Sequence, residues 1–244
     1  MEHQILSHSD SLSRVNKELE RADPGEILQW GFTRFGKSMV MGTGFGPSGM
    51  VLLHYLNRHK LDVPVFYLDT HLLFQETYDL RDRLEEQFNV RFIRVGTSMS
   101  VRQQDRKYGE RLWDSNPDKC CYMRKVEPLK EFLDDKGAWV TGIRRQQADT
   151  RADADIVEWD AFNRVNKINP LAHWTNEEIW MYIRLNELPY NPLHDHGYPS
   201  IGCIPCTGKA NESNDERAGR WAGMSKTECG IHQPQSLTNG NRSD

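Results

Sequence analysis

Five cysteines are spread along this chain in a pattern that suits two kinds of chemistry. Cys120 and Cys121 are adjacent, Cys203 and Cys206 form a C-x-x-C pair, and Cys229 stands apart. Two close pairs of thiols from distant parts of a chain are the donor set required by a tetrahedral zinc ion or an iron–sulfur cluster. Zinc sites favour two C-x-x-C pairs, so the doublet tilts the choice towards iron–sulfur. Cys229 lies in Lys226-Thr-Glu-Cys-Gly-Ile-His232. The lysine and histidine there favour the thiolate that a cysteine nucleophile needs, and Glu228 opposes it. Disulfides fit less well, because nothing resembles a signal peptide and a reducing cytoplasm is expected. Nor does chance burial of inert thiols generate two tight pairs.

A second set of residues suits an anion. Gly42-Thr-Gly-Phe45-Gly46-Pro-Ser48 reads as a turn from a strand into a helix, which directs backbone N–H groups at a phosphate. It is neither the dinucleotide fingerprint nor the lysine-bearing P-loop, and a tight turn without a ligand is an equal reading. Leu68-Asp69-Thr70 ends the next strand, where ligands of open α/β sheets sit, with helix capping by Asp69 or Thr70 as the alternative. Arg144, Arg145 and Arg151 flank one polar loop, and Arg217 and Arg220 precede Cys229. Most arginines are solvated surface, but clustering at a strand end and beside a thiol suits a guanidinium clamp for phosphate or sulfate. Lys125 falls four residues after Cys121. On a helix its ammonium lies one turn along the same face, between a thiolate-rich centre and an anionic ligand, a surface salt bridge being the alternative.

The elements that must position these residues read as α/β. Ser38 to Val95 alternates short apolar runs with helical patterns, as in βαβ units of an open, mainly parallel sheet flanked by helices. Strands are expected at 38–41, 63–68, 90–95 and 138–142, and helices at 49–59 and 74–88. Thr175-x-x-Glu178 is a capping box that opens a further helix running to Leu188. The composition divides the chain into one domain at 1–210 and a flexible tail at 211–244, which carries Cys229 as a lid would. A net charge of −4 argues against a surface for nucleic acid, and no apolar run is long enough to span a membrane. A small anionic ligand fits the charge better.

Taken together, Cys120-Cys121 with Cys203-x-x-Cys206, Thr141-Gly-Ile-Arg-Arg145 with Thr150-Arg151-Ala152, His173-Trp-Thr-Asn-Glu-Glu-Ile-Trp180 and Glu228-Cys-Gly-Ile-His232 resemble assimilatory adenylyl-sulfate (APS) reductases. The resemblance runs from the glycine-rich turn to the tail. It implies an adenine nucleotide alpha hydrolase-like fold and a 4Fe-4S cluster on Cys120, Cys121, Cys203 and Cys206. It also implies that Cys229 attacks the sulfur of APS, expels AMP and becomes an S-sulfonate, from which thioredoxin or glutaredoxin releases sulfite. By the same resemblance Lys125, Arg217, Arg220 and His232 hold the phosphosulfate, while Phe45, Gly46, Ser48, Leu68, Asp69, Thr70 and the Arg144–Arg145 loop with Arg151 hold the nucleotide. The cluster is then expected to tune electrostatics and not to pass electrons. Relatives that reduce 3'-phosphoadenylyl sulfate (PAPS) share the fold and the Glu228–His232 segment but typically lack the four cluster cysteines, and PAPS or dual-specificity reduction is the alternative. A nucleic-acid-binding module with a structural four-cysteine zinc site is a rival from another class, opposed by the net acidity and the separate Cys229. The SGGxDS-type loop of ATP-pyrophosphatase relatives is absent, and homo-oligomerisation is left open.

Overall fold

The computed structural model describes residues 9–210, 216–224 and 226–232. Two helices, α1 (Ser9–Leu19) and α2 (Pro24–Phe35), precede the sheet. Asp23 starts α2 with a full capping box, its carboxylate accepting from Gly25 N and the Glu26 side chain returning to Asp23 N. The chain then runs β1 (Met39–Thr43), α3 (Pro47–Arg58), β2 (Val65–Leu68), α4 (Gln75–Phe88) and β3 (Phe92–Val95). Short helices α5 (Val101–Tyr108), α6 (Leu112–Ser115) and α7 (Pro117–Cys121) follow. Tyr122–Val126 forms a π-helical stretch leading into α8 (Glu127–Leu133), after which come β4 (Ala138–Val140), β5 (Val157–Asp160), β6 (Val165–Ile168) and α9 (Asn176–Leu185).

The six strands lie in the order β3-β2-β1-β4-β6-β5, parallel except for the antiparallel β5–β6 pair. Successive units build outward from β1 to β3, and the chain then returns to the other side of β1 at β4. Connections above β1 and β4 therefore diverge and open a crevice at the carboxyl ends of the strands. Both central strands are almost wholly buried, as apolar runs in a parallel sheet covered on two faces must be. On one face α3 supplies Met50, Val51, Leu52, Leu53 and Leu56 to the main core, which extends to α2 and α9. On the other, Leu129 and Leu133 of α8 meet Phe66 and Trp139.

The expected strands and helices at 38–95 and the capped α9 are present with ends shifted by a few residues. The antiparallel β5–β6 pair was not expected. Its polar side chains mask the strand pattern, and Lys167 is buried there only because its ammonium meets Glu158 at 2.7 Å. Of the tail expected to be flexible, residues 211–215, 225 and everything beyond His232 lie outside the described residues. The rest returns to the body of the protein. Gly208 N donates to Gly219 O, Trp221 and Glu228 are almost fully buried, and Ile231 packs on the Phe66–Trp139 side of the sheet. Among the described residues no helix is long and apolar enough to cross a membrane.

Candidate active site

The crevice above β1 and β4 is a cleft of about 920 Å³. Its floor is the glycine-rich turn. Phe45 takes a left-handed backbone (φ 58°), its N–H donates to Thr43 Oγ1, and its ring is buried against Tyr67 and Phe92 at centroid distances of 5.4 and 5.1 Å. That burial anchors the turn. Gly46 then caps α3, and Pro47 occupies its first position, so the helix N-terminus opens into the cleft. Gly42 has to be glycine, because a Cβ there would lie 2.6 Å from Trp139 Nε1 and 3.0 Å from the Phe66 ring.

Cations line the opposite wall. Arg144 is 2% exposed and is held by Ser48 Oγ (3.2 Å), Trp174 O (3.4 Å) and an ion pair with Glu216. Arg220 donates to Cys206 O at 3.1 Å and lies 4.4 Å over the Trp221 ring. Gly202 is packed against it, since a Cβ there would meet the Arg220 guanidinium at 2.4 Å. Arg151, Arg217 and Lys125 also face the cleft.

Cys229 lines the same cleft as these cations. Burial pushes its thiol pKa up, but the Lys125 ammonium, with a hydrogen bond from Ile231 N and a smaller contribution from Arg220, outweighs burial and Glu228 and brings it below the usual thiol value. Burial likewise works against the Lys125 charge, yet its coulombic coupling to Cys203, Cys229 and Cys121 holds its pKa above the usual lysine value. His232 is the reverse case. Burial, then Lys167, Arg151 and Arg217, lower its pKa well below the usual histidine value, so the imidazole is neutral. Its ring stacks on Trp139 at 5.1 Å and 14°.

Beside the cleft the four grouped cysteines converge on a separate small cavity shared with Arg124 and Lys125. α7 carries Cys120 and Cys121, with Asn116 capping it through Lys119 N. The loop carrying Cys203 and Cys206 is tied to the connection between β2 and α4 by Ile204 N to Leu72 O at 2.7 Å and by a bridge between Leu73 and Cys203. All four thiols are buried and unbridged. Burial, with the charge of Cys203 adding to it, pushes Cys120 up to about 11, and burial pushes Cys121 up to about 12 and Cys206 upward. Thiols so placed without a metal are neutral and unreactive. The donor set fits a thiolate-ligated centre. Arg124 strengthens the fit, because it is 1% exposed with Nη2 unpartnered at that cavity, its other nitrogens donating to Gln104 Oε1 (2.7 Å), Thr70 O (2.9 Å) and Met99 O (3.4 Å). Among the described residues no three His, Cys, Asp or Glu side chains are arranged to chelate a single ion.

The structure thus gathers Phe45, Gly46, Ser48, Leu68, Lys125, Arg144, Arg151, Arg217, Arg220, Cys229 and His232 around one cleft. Three expected nucleotide contacts lie elsewhere. Asp69 turns from the cleft to accept from His71 N (2.9 Å), Tyr78 Oη (2.8 Å) and Arg94 Nε (2.6 Å), bracing the end of β2. Thr70 is fully buried with Oγ1 3.2 Å from Cys203 Sγ, so it belongs to the cysteine centre. Arg145 points outward to Ala154 O, Glu20 and His173. Conversely Trp139, Arg124 and Glu216 escaped notice in the sequence. Arg124 alone had a signal there, its place between the doublet and Lys125.

A cleft at the switch point of an α/β sheet, with a thiol facing cations and a second cysteine centre beside it, is an arrangement suited to an enzyme that acts on an anionic ligand. Residues 38–209 match the phosphoadenosine phosphosulfate reductase domain. The chain belongs to that family and is an oxidoreductase. It is 49% identical over 225 residues to the adenosine 5'-phosphosulfate reductase of Salinibacter ruber, covering 92% of this chain and 89% of that one. The enzyme of the same name from Halalkalibacterium halodurans is 44% identical, over 91% and 97% of the two chains. Among solved structures, a phosphoadenylyl-sulfate (PAPS) reductase from Candida auris in complex with phosphate superposes with a TM-score of 0.73 at 30% identity, covering 82% of this chain and 98% of that one.

Proposed function

We propose that the protein reduces adenylyl sulfate to sulfite and AMP in assimilatory sulfate reduction and cysteine biosynthesis, with Cys229 as the nucleophile. The observation that carries this reading is a single thiol, lowered by Lys125, facing an arginine-lined cleft above a helix N-terminus. The nucleotide lies along the glycine-rich turn, and the phosphosulfate meets Lys125, Arg217, Arg220 and the neutral His232. The Cys229 thiolate attacks sulfur. A sulfur–sulfur bond forms as the bond from sulfur to the bridging oxygen breaks, and AMP leaves with that electron pair. An anion attacking an anion needs fixed positive charge, which these residues supply both against repulsion and for the charge growing on the leaving phosphate. The product is a cysteine S-sulfonate. A thiolate of thioredoxin or glutaredoxin attacks Cys229 Sγ, sulfite departs with the bonding pair, and the second thiol of the reductant restores Cys229 and leaves as a disulfide. A tail able to withdraw Cys229 from the cleft suits this second half.

Cys120, Cys121, Cys203 and Cys206 would hold a 4Fe-4S cluster, which supplies a compact charged centre beside Lys125 and not the reducing electrons. Five unbridged cysteines suit the cytoplasm. PAPS reduction is the second reading, favoured by the likeness to the Candida auris structure. Sulfite release from APS and from PAPS, assayed anaerobically with thioredoxin, separates the two. The account expects the larger kcat/KM with APS, and an equal or reversed ratio moves the protein to the dual-specificity or PAPS class.

A further inference from the structure

Glu228 precedes the thiol and by charge alone opposes it. Its carboxylate is nonetheless 3% exposed, and four hydrogen bonds converge on it. Arg151 donates from Nε to Oε1 (3.0 Å) and from Nη2 to Oε2 (3.1 Å). Arg217 Nη2 donates to Oε2 (3.1 Å), and Thr150 Oγ1 to Oε1 (3.3 Å). Arg217 also reaches Thr227 O at 2.9 Å, so it grips the same segment twice. These donors come from the loop after β4 and from the segment before Trp221. Glu228 is therefore where three stretches of chain meet. Beyond Cys229, Gly230 turns the chain (φ 87°) and His232 lies flat on Trp139. The thiol is thus held between an ion-paired anchor on one side and a ring stack on the other.

We infer that Glu228 is a positioning residue whose carboxylate, clamped by Arg151 and Arg217, docks the Cys229 segment so that the thiol faces the cleft. The inference rests on the reading of Cys229 as the nucleophile and adds what holds it in place. A two-toothed arginine contact fixes direction as well as distance. Removing the carboxylate would leave two guanidinium groups near one another without their shared counter-charge, which drives the segment out of its dock.

The test uses the full-length, cluster-loaded protein and two variants, Glu228→Gln and Glu228→Asp. Each is measured for kcat and KM with APS and for the rate of Cys229 alkylation by iodoacetamide without substrate. Alkylation is read on the high-pH plateau, so that a changed thiol pKa does not enter. Glu228→Gln is expected to lower kcat by about 100-fold, the scale of a nucleophile displaced by about 1 Å, with any rise in KM, through Arg217 and His232, smaller than that loss. Cys229 alkylation should become faster as the segment undocks. Glu228→Asp keeps the charge and should recover about tenfold of the lost kcat, which a merely structural role would not predict. Should the Gln variant fail to fold, the Asp variant carries the test through its slower turnover and faster alkylation. A kcat near wild type, a raised KM at unchanged kcat, or an unchanged alkylation rate overturns the assignment. A wild-type enzyme that forms no adduct on Cys229 with APS sinks the underlying reading instead, and the alkylation arm, which needs no APS, keeps the two failures apart.

Discussion

The cysteine centre and the cleft lie side by side, share Lys125, and treat the same side chain in opposite ways. In the centre, burial leaves Cys120, Cys121 and Cys206 with raised pKa values, so without a metal they are neutral thiols. In the cleft, burial acts on Cys229 in the same direction, but Lys125 and a backbone N–H more than offset it. Burial alone therefore does not decide what a cysteine does: Lys125 opposes it at both Cys121 and Cys229, and at Cys229 a backbone N–H joins the ammonium and the balance tips. A ligand thiol can afford a high pKa, since metal binding displaces its proton. A nucleophile cannot, because only the thiolate attacks.

The sharpest way to break the comparison is to damage one region and watch the other. Cys203→Ser should abolish both visible iron–sulfur absorbance and sulfite release, while Cys229 remains present and alkylatable. Full turnover by an iron-free Cys203→Ser enzyme would show that the two regions are independent. Lys125→Ala removes the shared charge and should lower kcat/KM by about 100-fold, the scale for losing a charge stabiliser in a water-excluded site. The same substitution has a pH signature. Wild-type Cys229 should be alkylated with a midpoint below that of an ordinary thiol. Without Lys125 burial acts unopposed by its main counterweight, so the midpoint should move up. No movement would mean that the ammonium does not reach the thiol. Arg145→Ala should have the smallest effect, within about threefold in kcat/KM, because its guanidinium is engaged with Glu20 and His173 outside the cleft, an exposed pairing of small net worth. A loss as large as that of Lys125→Ala would bring Arg145 back into the site.

The central sheet was legible because apolar runs buried on both faces leave a plain signal, and α9 because Thr175 and Glu178 cap it reciprocally. β5 and β6 were not. Glu158, Asp160, Asn166 and Lys167 look solvent-facing, but Lys167 pairs with Glu158, Asp160 accepts from Phe162 N and Asn163, and Asn166 donates to Gly137 O. At the site, the cysteines and cations could be read from type and spacing. The direction in which a side chain leaves a strand end could not, so Asp69 and Thr70 were given to the nucleotide while packing gives them to Arg94 and Cys203. Glu228 shows the same limit. Its charge was visible as a neighbour of Cys229, but its two arginine partners are 77 and 11 residues away in sequence.

The most direct test of the division between the two regions is to mix anaerobic enzyme with APS in the absence of any reductant and map the adduct. One equivalent of AMP should appear in a single burst, with an S-sulfonate on Cys229 alone. Cys229→Ser should lose both signals and keep its iron–sulfur absorbance and nucleotide binding. An adduct on Cys120, Cys121, Cys203 or Cys206, or turnover that survives Cys229→Ser, would contradict the account.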